Sequence, residues 1–210
     1  VILVIDDVCS HEDGTFSLLF HPDGVSRKNG IDLSVVNQQA AVDIRPLWPD
    51  YLTESDFEHD FPYNLKLKAH QGPKAKKTDE METYYSVTYP IKAQSVKFIT
   101  AIILKDSPTS KNIPQVTRLK GDDLQGVRIA KGDKITDVYL NTRADGHIMH
   151  RNSCTNVNGW DTDAYLLAFS YKKGTDPAVS KNILEWFIGY GSYVRNAHES
   201  IFDSYTKKYK

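Results

Sequence analysis

Seven histidines, two cysteines, three tryptophans and several carboxylate pairs carry the chemical capacity of this 210-residue chain. Only His147 and His150 stand close together, in Asp145-Gly-His-Ile-Met-His150. On a strand, residues three apart face opposite sides of the sheet, so one strand cannot easily aim both at one metal. Zinc also asks for a third nitrogen or sulfur ligand, and the spacing to Cys154 fits no standard zinc pattern. Turn or edge histidines are therefore expected, with no metal and no other cofactor. Asn156-Val-Asn-Gly-Trp-Asp-Thr-Asp163 gathers oxygen ligands around a glycine. A calcium loop of the EF-hand type closes with a bidentate carboxylate about twelve positions from its start. That place is Leu167, so a loop held by Asx turns is expected instead.

The sequence holds no Gly-Lys-Ser/Thr phosphate loop, no Gly-x-Gly-x-x-Gly run and no Gly-x-Ser-x-Gly elbow. Among the acidic pairs Asp6-Asp7, Asp122-Asp123 and Asp161/Asp163, only the last can share one face of a strand. No catalytic residue is assigned within the chain. Aromatic side chains remain as binding material, because a flat ring offers apolar contact to a sugar while polar neighbours hold its hydroxyls. Trp186 lies in the apolar run Ile183–Ile188 and is expected in the core. Trp160 sits among Asn158-Gly159 and Asp161-Thr162 and is expected at a surface loop. The candidate carbohydrate-binding residues are accordingly Trp160, Asp161, His147, His150 and Arg151. Solvent-facing Trp160 would favour sugar binding; buried, it would favour a scaffold.

The elements that must position these residues read as strands. Val1–Ile5, Phe16–Phe20, Ile31–Val36, Ala41–Ile44, Thr83–Tyr89, Val96–Leu104, Gly126–Ile129, Thr136–Leu140, Ala164–Tyr171, Ile183–Ile188 and Tyr193-Val194 are rich in β-branched and aromatic residues. Between them stand the turn signals Glu12-Asp-Gly14, Pro22-Asp-Gly24, Lys28-Asn-Gly30, Lys131-Gly-Asp133, Ala144-Asp-Gly146 and Lys173-Gly174. Lys131-Gly-Asp133 and Ala144-Asp-Gly-His147 read as hairpin tips. The best helical candidate is short, Pro49–Phe57. Short strands at regular spacing predict an all-β fold, an antiparallel β-sandwich with few short helices. With no repeat and no convincing linker, residues 1–210 count as one domain. Lys66–Glu80 holds five lysines without interleaved aromatics or arginines, so a solvated loop or a lysine-protected edge strand is expected there rather than a nucleic-acid patch.

Twenty-six basic and 27 acidic residues give a net charge of −1, which draws the chain neither to nucleic acid nor to an anionic membrane. No apolar run approaches the roughly 20 residues of a membrane span. The chain opens on an apolar strand at Val1 with no visible signal peptide, which suggests a piece of a longer protein. Cys9 and Cys154 could form one disulfide; the general tendency of free thiols points to two buried ones.

Gly126-Val-Arg-Ile-Ala-Lys-Gly-Asp-Lys-Ile-Thr-Asp-Val-Tyr-Leu-Asn141, Ala144–Asn152 and Gly159-Trp-Asp-Thr-Asp-Ala-Tyr-Leu-Leu-Ala168 together resemble the C-terminal β-sandwich region of heparinase II/III-like polysaccharide lyases. Val4-Ile-Asp-Asp-Val8 with Phe16–Pro22, and the ending Gly189–Arg195, are similar to it as well. The resemblance implies a periplasmic or extracellular parent enzyme that cleaves an acidic polysaccharide, such as a glycosaminoglycan, by β-elimination. An N-terminal α/α toroid would supply most catalytic groups and pack against this part. A tyrosine would serve there as acid or base, and Asn and His would neutralise the uronate carboxylate. None of those residues is carried over to a position here. The implied role is to support or complete the glycan cleft, inactive alone. A free-standing carbohydrate-binding module or a non-enzymatic interaction domain is the alternative.

Overall fold

The structure is a computed structural model that describes residues 1–30, 32–38, 40–49, 65–74, 77–121, 123–143 and 154–204. All of its sheets are antiparallel, as the sequence predicts, and its only regular helical piece among these residues is the 3₁₀ turn Ser180–Asn182. Among the described residues no helix is long and apolar enough to cross a membrane. The proposed helix at Pro49–Phe57 lies, after Pro49, outside the described residues. Where the sequence reading counts one domain, the contacts group the chain into two compact units, Val1–Ile113 and Pro114–Lys210.

The first unit is a six-stranded sheet of β1 (Ile2–Phe20), β2 (Val25–Asn29), β3 (Asp32–Asn37), β4 (Ala40–Trp48), β5 (Lys66–Lys74) and β6 (Lys77–Lys105). The order is β1-β6-β4-β3-β2, with β5 also paired to β6. Two sequence expectations change here. Glu12-Asp-Gly14 does not turn the chain: it lies inside β1, joining the predicted strands Val1–Ile5 and Phe16–Phe20 into one. Thr83–Tyr89 and Val96–Leu104 likewise belong to one strand, β6. The turn-forming residues instead disturb the pairing. The register of β1 on β6 shifts between Cys9 and Gly14 and again between Gly14 and Phe16. Pro90, which has no N–H to give the ladder, stands in β6 opposite that break. A straight 29-residue strand would run about 95 Å, so such breaks, where a paired strand bends, let the long pair fold within a compact unit.

The sheet curls over on itself. Strand β2 is three places from β6 in the order, yet Ser26 Oγ lies 3.0 Å from Tyr85 Oη, and Lys28 Nζ donates to the Leu67 carbonyl. Leu33, Val35, Leu67, Val87 and Phe98 fill the enclosed core. Strand β5 pairs only with β6 among the described strands, so the lysine-rich segment contributes an edge strand.

The second unit has a five-stranded sheet of β7 (Gln115–Gly121), β8 (Leu124–Lys131), β9 (Lys134–Asn141), β12 (Leu166–Lys172) and β13 (Ile183–Gly189). Its order is β13-β12-β9-β8-β7. A four-stranded sheet, β10-β11-β14-β15, consists of Thr155–Val157, Trp160–Thr162, Tyr193–Arg195 and Ser200–Asp203. Lys131 pairs with Lys134 across Gly132-Asp133, and Gly132 takes φ +62° at the first turn position, where a type II′ turn favours glycine. Alternate residues Leu167, Phe169 and Tyr171 of β12 meet Val157, Trp160 and Val194 of the smaller sheet in one buried cluster. That cluster is the core of a two-sheet sandwich.

Candidate functional site

Asn156-Val-Asn-Gly-Trp-Asp-Thr-Asp163 folds as a tight hairpin. Val157 pairs with Trp160, and the two residues between them have positive φ, Asn158 at 49° and Gly159 at 83°. Positive φ at both positions is the type I′ turn that Asn-Gly favours. Asn156 Oδ1 accepts the Gly159 N–H at 3.1 Å, an Asx contact of the kind expected from the sequence. A side chain at Gly159 would meet Ala178 Cβ at 2.9 Å, so the turn is seated tightly against the 176–182 segment.

The hairpin turns Trp160 inward, against the expectation of a surface residue. Its side chain is wholly buried in the sandwich core, and Nε1 donates to the Pro177 carbonyl at 2.7 Å. Trp186 reverses its expectation as well. It stands on the sheet-edge strand β13, 44% exposed, with its ring 5.8 Å from that of Phe202. Neighbour polarity misleads here because a strand one or two residues past a tight turn alternates its faces at once. His147, His150 and Arg151 lie outside the described residues. Asp161 is exposed on β11.

Two polar assemblies flank the β10–β11 hairpin. The first is internal. Asp137, wholly buried on β9, receives Arg128 Nε on one oxygen and Arg128 Nη2 on the other, both at 2.8 Å. Tyr171 Oη donates to the second oxygen at 2.7 Å and Tyr139 Oη at 3.3 Å. Asn158 Nδ2, from the hairpin turn, reaches Tyr139 Oη at 2.7 Å. Burial, joined by the Asp137 carboxylate, pushes the Tyr139 and Tyr171 phenols up, the latter from the usual 10.0 to about 12. A phenol whose folded pKa is raised stabilises the fold below its unfolded pKa and loses that contribution as pH rises. The thermal midpoint should therefore fall between pH 10 and about 12, with tyrosine ionisation followed by ultraviolet absorbance. A midpoint flat across that window would remove these phenols from the stabilising network.

The second assembly faces solvent. Asn156, Asp161 and Arg195 are register partners across β10, β11 and β14, so their side chains form a row on one sheet face. Asn156 Nδ2 donates to Asp161 Oδ1 at 2.8 Å. With Cys154, Thr155 and Tyr193 they line an open recess of about 330 Å³, at the small end of the roughly 300–1,000 Å³ of ligand pockets. The Arg195 guanidinium lies 4.5 Å from the Tyr193 ring centroid and 3.6 Å from Asp203 Oδ2. Tyr193 Oη and Cys154 Sγ are 2.8 Å apart. Partial burial, followed by this contact, holds the Tyr193 phenol well above its ordinary range, so it stays neutral. Both cysteines are exposed, which corrects the expectation of buried thiols. Cys9 flanks the register break of β1, and Cys154 precedes β10 at the recess rim.

The carboxylate Asp163 is spent on structure: its oxygens accept the Ser192 and Tyr193 N–H groups at 2.7 and 3.2 Å, and the Ser192 hydroxyl. Among the described residues no three His, Cys, Asp or Glu side chains are grouped to hold a metal ion. Sequence reasoning named Asp161 but missed Asn156, Tyr193 and Arg195 as its companions. The Val157-Asn-Gly-Trp160 hairpin signal would have paired Asn156 with Asp161; nothing local pairs either with Arg195. No family model matches this chain, and no curated protein matches it.

Proposed function

We propose that this chain is the β-sheet portion of a heparinase II/III-like polysaccharide lyase, and that it contacts the glycan without performing the elimination. The observation that carries this reading is the open polar recess on the outer face of the second unit's sandwich. Its row of Asn156, Asp161 and Arg195 supplies the planar donors and acceptors that hold sugar hydroxyls. The buried Trp160 and the Asp137 network support a scaffolding role for the body beneath. In the parent enzyme, the α/α toroid would bring the proton-transfer groups and this part would hold the chain of an acidic polysaccharide.

A second reading, a carbohydrate-binding module that works by itself, is favoured by every described residue lining the recess belonging to the second unit. One experiment serves both. The chain is titrated with acidic and neutral oligosaccharides by calorimetry while ultraviolet absorbance follows unsaturated uronate. Binding without an absorbance rise is expected. Turnover would place catalytic residues in this chain and sink the non-catalytic reading; absence of any binding would sink glycan contact.

A further inference from the structure

The charges around the recess say which sugar it holds. Arg195 is the one cation lining it among the described residues, and Asp203 at 3.6 Å already faces that guanidinium. The Arg195 Cζ lies 4.5 Å over the Tyr193 ring, a cation–π contact that holds the head group at the recess, where its N–H groups can donate. Among the described residues, Asp161 and Asp203 thus bring two carboxylates to this one guanidinium. Asp161 Oδ1 accepts from Asn156, and Oδ2 has no protein partner among the described residues. Thr155, Asn156 and Tyr193 add only neutral groups. A carboxylate or sulfate brought here would meet the Asp161 carboxylate, a like charge that works against it. A pair of neighbouring hydroxyls would not. They can donate to Asp161 and accept from Arg195, which is how charged hydrogen bonds gain strength without a net charge on the ligand.

We infer that the recess of Asn156, Asp161, Tyr193 and Arg195 binds an uncharged pyranose unit through two adjacent hydroxyls, and disfavours the charged units of an acidic glycan. The inference rests on reading the recess as a glycan contact. It makes this face the reader of the neutral sugar in a polymer whose acidic units are handled elsewhere.

Cys154 supplies the readout. It lies on the recess rim, exposed, whereas Cys9 is exposed in the other unit and serves as an internal reference. The chain is alkylated with iodoacetamide in the presence of chitohexaose or of an oligomannuronate of equal length, and each cysteine is followed by peptide mass spectrometry. At ten times Kd, chitohexaose should slow Cys154 alkylation roughly tenfold and leave Cys9 unchanged. Asp161→Asn keeps the shape and removes the charge. It should weaken chitohexaose binding roughly tenfold and narrow the discrimination against oligomannuronate. Asp161 is exposed, so an unchanged thermal midpoint checks that this variant is folded.

Protection by oligomannuronate alone overturns the inference, because a charged sugar then occupies the recess. Calorimetric binding of chitohexaose without Cys154 protection also overturns it, while leaving glycan contact standing. An Asp161→Asn variant that binds as the unchanged chain does removes the carboxylate from recognition and overturns the inference too. If neither sugar binds by calorimetry, the reading of the recess as a glycan contact fails, and the inference fails with it.

Discussion

Replacing Trp160 by alanine is expected to destabilise the second unit by about 3–5 kcal/mol, the range for removing a large aromatic side chain from a core. The indole is wholly buried where Val157, Leu167, Phe169 and Val194 converge, so truncation leaves a cavity lined by groups from both sheets. It also deprives the Pro177 carbonyl of the N–H it accepts at 2.7 Å, an added cost for a polar group turned inward. The measurement is the urea midpoint with the m-value checked for constancy. Trp186→Ala is the control: with the ring 44% exposed on an edge strand, its cost should stay below about 1 kcal/mol. Equal effects for the two variants would overturn the inward placement of Trp160 and restore it as a stacking candidate at the surface.

The exchange of roles between Trp160 and Trp186 defines how far the sequence could be read. Alternation and β-branched content identify strands and hence the all-β class, since these depend on local chemistry. Which face of a strand is covered depends on what another sheet brings to it. Ile183–Ile188 is apolar on both faces and reads as interior; β13 is nevertheless the last strand of its sheet, leaving Leu184, Trp186 and Phe187 exposed. Trp160 has polar neighbours on both sides, but its alternate position on a three-residue strand points it at β12 residues. Glu12-Asp-Gly14 fails as a turn for a related reason: a partner strand as long as β6 can absorb extra residues as a register shift. The recess was legible only at Asp161, because Arg195 joins it through pairing between β11 and β14, more than thirty residues apart.

Asp137 should prove the other costly position. Asp137→Ala removes the shared acceptor of Arg128, Tyr171 and Tyr139, and a broken buried ion pair costs about 3–5 kcal/mol. The Arg128 side chain is 38% exposed and can recover some water, so the lower end of that range is expected. Arg128→Met should cost more than its exposure suggests, because it leaves a fully buried carboxylate supported only by phenols and the Asn158 amide. Combining Arg128→Met with Asp137→Leu should recover most of the loss, since a buried pair replaced by apolar groups of similar volume is often neutral. Denaturation of the unchanged chain, Arg128→Met, Asp137→Leu and the double variant forms a double-mutant cycle. An Asp137→Ala cost below about 1 kcal/mol, or a cycle with no coupling, would mean the pair does not hold the sandwich together. The same variants separate stability from recognition. Asp137 faces the interior of the sandwich, whereas Asp161 stands on the outer face of the smaller sheet. Folded Arg128→Met/Asp137→Leu protein should therefore keep the Cys154 protection that Asp161→Asn weakens. Loss of that protection in the double variant would make the buried network part of the recess itself.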